Sequence, residues 1–225
     1  MNLDIKKQLI RFYDENVWEH LTVWEHLKMW SNTYADRVAV VDENEELTYR
    51  QLKDEVDCYA NGLLNQGFCK GDKVLFQLPN SKEFIIILFA MMSIGVIPVI
   101  ILMGHRYSEV KGILNKTNAK AYIGMNRYLG FSYEDMVSKI IEDTKADLQV
   151  YLIGETEKYE KLCTLKQNRK NKFIEELDYK ETAIFLLSGG TTGFPKLIPN
   201  RHCEFIYLAK ELANATDMNE DTVYL

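Results

Sequence analysis

The chain has 225 residues, 47% of them hydrophobic and 27% charged, with a formal net charge of −6. This balance excludes a disordered chain, a collagen-like chain and a disulfide-stapled miniprotein, and it supplies enough apolar side chain for one large domain or two small ones. A mildly acidic chain without a basic block also argues against general nucleic-acid binding.

The four cysteines, Cys58, Cys69, Cys163 and Cys203, form no CxxC pair. They therefore suggest neither a zinc ribbon nor a dithiol redox site, and scattered thiols without a signal peptide fit a reducing, cytoplasmic setting. The longest apolar run, Phe84 to Met92, has nine residues and is too short to span a bilayer. No metal site is expected.

Residues 1–30 read as an aromatic, helical or irregular segment, and 31–225 as one α/β unit. The pentapeptide VWEHL occurs at 17–21 and again at 23–27. Two short copies do not make a repeat architecture, and the duplication is expected to lengthen a surface-packed helix. It brings His20 and His26, six residues apart, which is not the spacing of metal ligands on one helix face.

Next come a short hairpin, Arg37–Val41 and Glu46–Thr48, and a helix capped by Thr48 that closes at Gly67. Strand Lys73–Leu78 leads through Pro79-Asn80-Ser81 into a helix over 82–94 that is apolar nearly all round. Strand Val96–Leu102, helix Ser108–Thr117, strand Ala121–Ile123, helix 133–145 and strand Gln149–Ile153 continue the alternation. The lysine-rich stretch 155–180 reads as a surface excursion. Strand Thr182–Leu187, a glycine loop and a helix from about His202 to Ala215 follow, and Asp221–Leu225 reads as the opening of another strand. Continuous apolar strands alternating with helices predict a mainly parallel sheet with helices on both faces. Ligands of such sheets bind beyond the carboxyl ends of the strands, where the glycine loop falls.

That loop reads Ser188-Gly189-Gly190-Thr191-Thr192-Gly193-Phe194-Pro195-Lys196. Three glycines within five positions let consecutive backbone N–H groups turn inward as an anion nest. Ser188, Thr191 and Thr192 add hydroxyl donors, Lys196 adds positive charge, and Pro195 stiffens the exit. The set suits a polyphosphate. It is not a Walker A loop, because Lys196 is followed by Leu197 rather than Ser or Thr, and it is not a GxGxxG dinucleotide fingerprint.

The segment LSGGTTGFPKLIP at 186–198, with Pro199 after it and His202 beyond, resembles the phosphate-binding motif of adenylate-forming enzymes. That superfamily includes acyl-CoA synthetases, nonribosomal peptide adenylation domains and luciferases, and the variant here is most similar to 2,3-dihydroxybenzoate–AMP ligases. LTYRQL at 47–52, GDKVLFQLPNSKEF at 71–84, GVIPVIILMGHRYSEV at 95–110, AKAYIG at 119–124 and the closing DTVYL agree with it.

The resemblance implies the N-terminal subdomain of an ATP-dependent ligase of siderophore biosynthesis. Such an enzyme forms an aryl-adenylate and pyrophosphate and then loads the phosphopantetheine thiol of an aryl carrier protein, or CoA in an acyl- or aryl-CoA ligase; an amino-acid adenylating domain is the other enzymatic alternative. By the same resemblance Ser188, Gly189, Gly190, Thr191, Thr192, Gly193 and Lys196 would line the β- and γ-phosphates of ATP. The catalytic residues and the Mg2+ ligand would lie beyond Leu225, leaving a fragment inactive alone. A non-catalytic truncated binding module is the alternative outside enzymology. The family often reads PRTH where this chain has Pro199-Asn200-Arg201-His202, so no role carries over to Arg201. Cys203 reads as an incidental thiol and His105-Arg106 as a buried anchor or helix-start contact.

Overall fold

The computed structural model describes residues 17–43, 45–167, 176–189 and 195–224. Strands β1 (Val38–Asp42) and β2 (Glu45–Thr48) form the expected antiparallel hairpin. Thr48 then caps α2 (Tyr49–Asn65) in a reciprocal box with Gln51; α1 (Val23–Thr33) precedes the hairpin and is capped likewise by Thr22 and Glu25. Ser81 caps α3 (Lys82–Ser93), its hydroxyl accepting the Phe84 N–H.

The main sheet has seven strands. In spatial order they are β11 (Leu197–Arg201), β10 (Thr182–Leu187), β4 (Ile97–Ile100), β3 (Lys73–Gln77), β5 (Ala121–Met125), β8 (Gln149–Ile153) and β9 (Glu160–Lys161). Each neighbouring pair is parallel except β10 and β11, which are antiparallel. From β3 the chain steps one way to β4, then back across β3 to β5 and on to β8. Right-handed crossovers therefore put α3 on one face of the sheet and α4 (Tyr107–Thr117) and α5 (Tyr133–Thr144) on the other.

Side-chain alternation divides the core to match. Val74, Phe76, Ala121, Ile123 and Tyr151 pack with α1, α2 and α3. Leu75, Tyr122, Val150 and Leu152 pack with α4 and α5. A third, smaller cluster, with Val23, Met92, Ala183, Ile184 and Ile206, seats α6 (His202–Ala215) beside α1 and β10.

Four expectations are corrected. The duplicated pentapeptide does not lengthen a helix: its second copy opens α1, while residues 17–21 are non-helical. Thr22 sets the boundary, because its hydroxyl accepts the Glu25 N–H and ends the helix there. The glycine loop does not run into a helix. It returns through β11, whose Pro199 and Asn200 are poor strand formers that an edge position tolerates.

The charged stretch after 155 is not only surface. It supplies β9 and a 3-10 turn at Leu162–Leu165, whose two leucines are buried against α2; residues 168–175 lie outside the described residues. Residues 221–224 form no strand, and Arg37 instead pairs with Glu220 and Asp221. A further hairpin, β6 (Arg127–Tyr128) with β7 (Phe131–Ser132), was not expected.

No described helix is long and apolar enough to cross a membrane.

The packing of α2 on the 3-10 turn has no slack. A Cβ on Gly62 would overlap the Leu165 carbonyl oxygen, which is backbone and cannot swing away. Gly62→Ala should cost about 1–3 kcal/mol, read as a lower urea midpoint at unchanged slope. Gly104→Ala, where nothing lies within 4 Å of the new methyl, should stay within about 0.5 kcal/mol.

Candidate functional site: a phosphate loop on a β-hairpin

Strand β10 is parallel to β4, so its carboxyl end opens at the same edge of the sheet as those of β3, β4 and β5. The loop leaves from there. Its ends are set by the hairpin, in which Leu187 faces Leu197 across the last registered pair. Beyond it the Ser188 N–H donates to the Lys196 carbonyl at 3.0 Å, and the Lys196 N–H donates to Ser188 Oγ at 3.1 Å.

Ser188 and Lys196 thus clasp the mouth of the loop. Ser188 accepts through its oxygen, which leaves its O–H as a donor. Of the other predicted residues, Gly189 follows Ser188 with open space where a Cβ would lie. Gly190, Thr191, Thr192 and Gly193 lie outside the described residues.

A second lysine stands at the loop exit, unnoticed in the sequence. Lys116, in the last turn of α4, donates to the Pro195 carbonyl at 3.4 Å. Two exposed ammonium groups beside one glycine-rich mouth fit a polyphosphate, whose charge they would oppose. No group of three or more His, Cys, Asp or Glu able to hold a metal occurs among the described residues, so magnesium at this mouth would rely on the phosphates and on other ligands.

The neighbouring loop, 101–106, is held by a buried polar hub. Gln77, at the carboxyl end of β3, donates through Nε2 to the carbonyls of Leu102 (2.8 Å) and His105 (3.1 Å) and accepts the Tyr122 O–H at 2.9 Å. Gly124 lies opposite Gln77 in β5, and a Cβ there would press on the Tyr122 ring and hydroxyl. Burial pushes the Tyr122 phenol up, so it stays a donor. The Tyr133 O–H donates to the Met103 carbonyl at 2.8 Å. The Arg106 guanidinium reaches the carbonyls of Met103 and His105 and lies 4.1 Å over the Phe131 ring. His105-Arg106 is therefore the anchor and helix start that the sequence suggested. Gln77 was missed, although a glutamine ending an apolar strand was the signal.

At the far end of the hairpin, His202 opens α6 and is 1% exposed. Its Nδ1 accepts the Val23 N–H at 3.3 Å, which makes it a neutral imidazole with the proton on Nε2. Burial pulls its pKa down to about 4, against the opposing carboxylates of Glu181 and Glu25. Cys203 is fully buried and burial raises its thiol pKa, as befits an inert side chain.

With this geometry in place, comparison with known proteins identifies the class. The family described as AMP-binding enzyme matches residues 27–225, and the chain belongs to that family. Triostin synthetase I of Streptomyces triostinicus is 35% identical over 192 residues, covering 85% of this chain and 35% of that protein. The 2,3-dihydroxybenzoate-AMP ligase of Bacillus subtilis strain 168 is 32% identical over 219 residues, 97% of this chain and 40% of the ligase. The apo structure of Mycobacterium smegmatis MbtA superposes with a TM-score of 0.86 at 28% identity, covering 95% of this chain and 40% of that one. The chain thus spans about two fifths of the length of these proteins.

The His202 geometry makes stability pH-dependent. An unfolded histidine takes up its proton near pH 6.5, whereas His202 resists until about 4. The unfolded state then binds more protons in between, so stability falls as pH drops through that window, by about 2 kcal/mol at pH 5. Urea titrations at pH 7 and pH 5 should show this loss, and His202→Asn should remove most of it.

Proposed function

We propose that this chain is the N-terminal portion of an aryl-acid adenylating ligase, similar in substrate class to the 2,3-dihydroxybenzoate–AMP ligases of siderophore assembly. The reading rests on one conjunction: a family match that runs through the loop, and a hairpin that sets the loop mouth at the carboxyl edge of the sheet between two lysines.

In the reaction, a carboxylate oxygen of the aryl acid attacks the α-phosphorus of ATP. The bond to the bridging oxygen breaks, pyrophosphate leaves with its electron pair, and an acyl-adenylate remains. A phosphopantetheine thiolate of a carrier protein then attacks the acyl carbon and AMP departs. The first step turns on holding a highly charged triphosphate in line with the nucleophile, so positioning and charge neutralisation carry it. Gly189, Gly190 and Gly193 would let the backbone approach the β- and γ-phosphates. Ser188, Thr191 and Thr192 would donate hydrogen bonds to them, and Lys196 would oppose the charge leaving with pyrophosphate. Magnesium, held elsewhere in the protein, would supply further neutralisation. None of these residues serves as a proton-transfer base in this scheme.

The likeness to Triostin synthetase I supports a second enzymatic reading, activation of another carboxylic acid by the same loop.

Acid-dependent ATP–pyrophosphate exchange decides between them. The protein that carries this chain should exchange with 2,3-dihydroxybenzoate or salicylate and not with fatty acids, and Lys196→Ala should lower kcat/KM for ATP about 10- to 100-fold. The isolated 225 residues should be silent. Exchange only with amino acids would replace the aryl assignment, and a folded carrier of this chain with no exchange would favour a non-catalytic binding module.

A further inference from the structure

The phosphate loop hangs on an arm with little else to hold it. Strand β11 pairs with β10 on one side only, and β10 meets β4 through a single registered pair, Phe185 with Val99. One end of β11 carries Lys196 at the loop mouth, and the other ends at Arg201, where α6 begins. Whatever fixes the start of α6 therefore fixes the angle of β11 and the place of Lys196.

Residues 18–23, far away in sequence, converge on that point. The Trp18 ring, 5% exposed, lies 4.9 Å under the Arg201 guanidinium. Glu19 pairs with Lys210 of α6 and lies 3.1 Å from His26 Nε2. His20 stacks on Tyr179 at 4.5 Å, and the Tyr179 carbonyl accepts the Cys203 N–H at 3.0 Å. At the centre, the Val23 N–H donates to His202 Nδ1, while the His202 N–H donates to the Glu181 carbonyl at 3.1 Å.

We propose that residues 18–23 form a strap that sets the phosphate-loop hairpin, and that His202 is its positioning residue, acting through the Val23 N–H. The imidazole is not a ligand of the phosphates; it joins the first turn of α1 to the arm that carries Lys196. This explains why the first VWEHL copy stays out of the helix: its tryptophan, glutamate and histidine are engaged by Arg201, Lys210 and Tyr179. The inference deepens the adenylating reading, because it takes the loop as a polyphosphate site.

The contact can be cut at either end. Val23 is the first residue of α1, where proline is tolerated, and Thr22 before it already has φ −76° and ψ 162°, which a following proline requires. Val23→Pro thus deletes the donor and leaves the helix. His202→Phe removes the acceptor at similar volume, whereas His202→Asn keeps an acceptor near the Nδ1 position.

Amide hydrogen exchange on the 225-residue chain reads the loop mouth directly. In Val23→Pro and His202→Phe, the amides of Ser188 and Lys196 should exchange at least tenfold faster, with Leu75 and Ile123 of the central strands unchanged; His202→Asn should stay within twofold of the parent. In parallel, titration with ATP should give a dissociation constant at least tenfold weaker in the first two variants and near the parent in the third. A uniform rise at all amides, or no change at Ser188 and Lys196, would overturn the strap by making His202 a general stabilising contact. An unchanged dissociation constant in Val23→Pro, with the parent binding, would likewise overturn its effect on the site. If the parent chain bound no ATP, the polyphosphate reading of the loop would fall, while the exchange pattern would still decide whether the strap sets the hairpin.

Discussion

Strand β3 is the constraint from which the rest of the molecule takes its place. It is paired along both edges, by β4 and β5, and covered on both faces. Val74 and Phe76 point to one core and Leu75 to the other, so a single strand fixes two layers of helices. A parallel strand buried on both sides must be apolar throughout. The one polar residue it carries, Gln77, stands at its carboxyl end and uses its whole amide. Removing that side chain would leave the carbonyls of Leu102 and His105 and the Tyr122 hydroxyl without partners, where unmet hydrogen bonds cost most. The hub thus ties the rigid middle of the sheet to the loop beside the proposed site.

Away from that middle, order depends on fewer contacts. The β10–β11 arm is an edge, and an edge strand has ladder bonds on one side only. Its orientation is borrowed from α6, from the small cluster around Val23, Met92 and Ile206, and from the N-terminal segment that crosses the helix start. A loop that must accept a large anion gains from such an arrangement. Glycines give the backbone its approach, and the surrounding contacts supply the precision that glycines lack.

Much of this was legible from local pattern. The strand–helix alternation gave the doubly wound sheet. Thr48 and Ser81 announced two helix starts by their capping chemistry, and the glycine loop appeared at a strand end where ligands bind. What escaped notice was non-local or locally atypical. Pro199 and Asn200 disguised β11, whose pairing comes from β10 rather than from its own propensity. Leu162 and Leu165 were hidden among lysines, although three-residue spacing set them on one side of a 3-10 turn. Identical VWEHL copies adopt different conformations because Thr22 caps only the second, and because the partners of the first lie some 160 to 190 residues along the chain. His202 was visible as a motif residue, but its link to Val23 spans 179 positions and leaves no local trace.

The central claim is that the hairpin mouth between Ser188 and Lys196 is a polyphosphate site. The most direct test is an amide chemical-shift titration of the 15N-labelled chain with ATP. The account predicts saturable shifts that begin at Ser188, Gly189 and Lys196 and extend to Lys116 on α4, with the far strands β8 and β9 silent. Saturable shifts centred elsewhere, or none at the mouth at millimolar ATP, would contradict it.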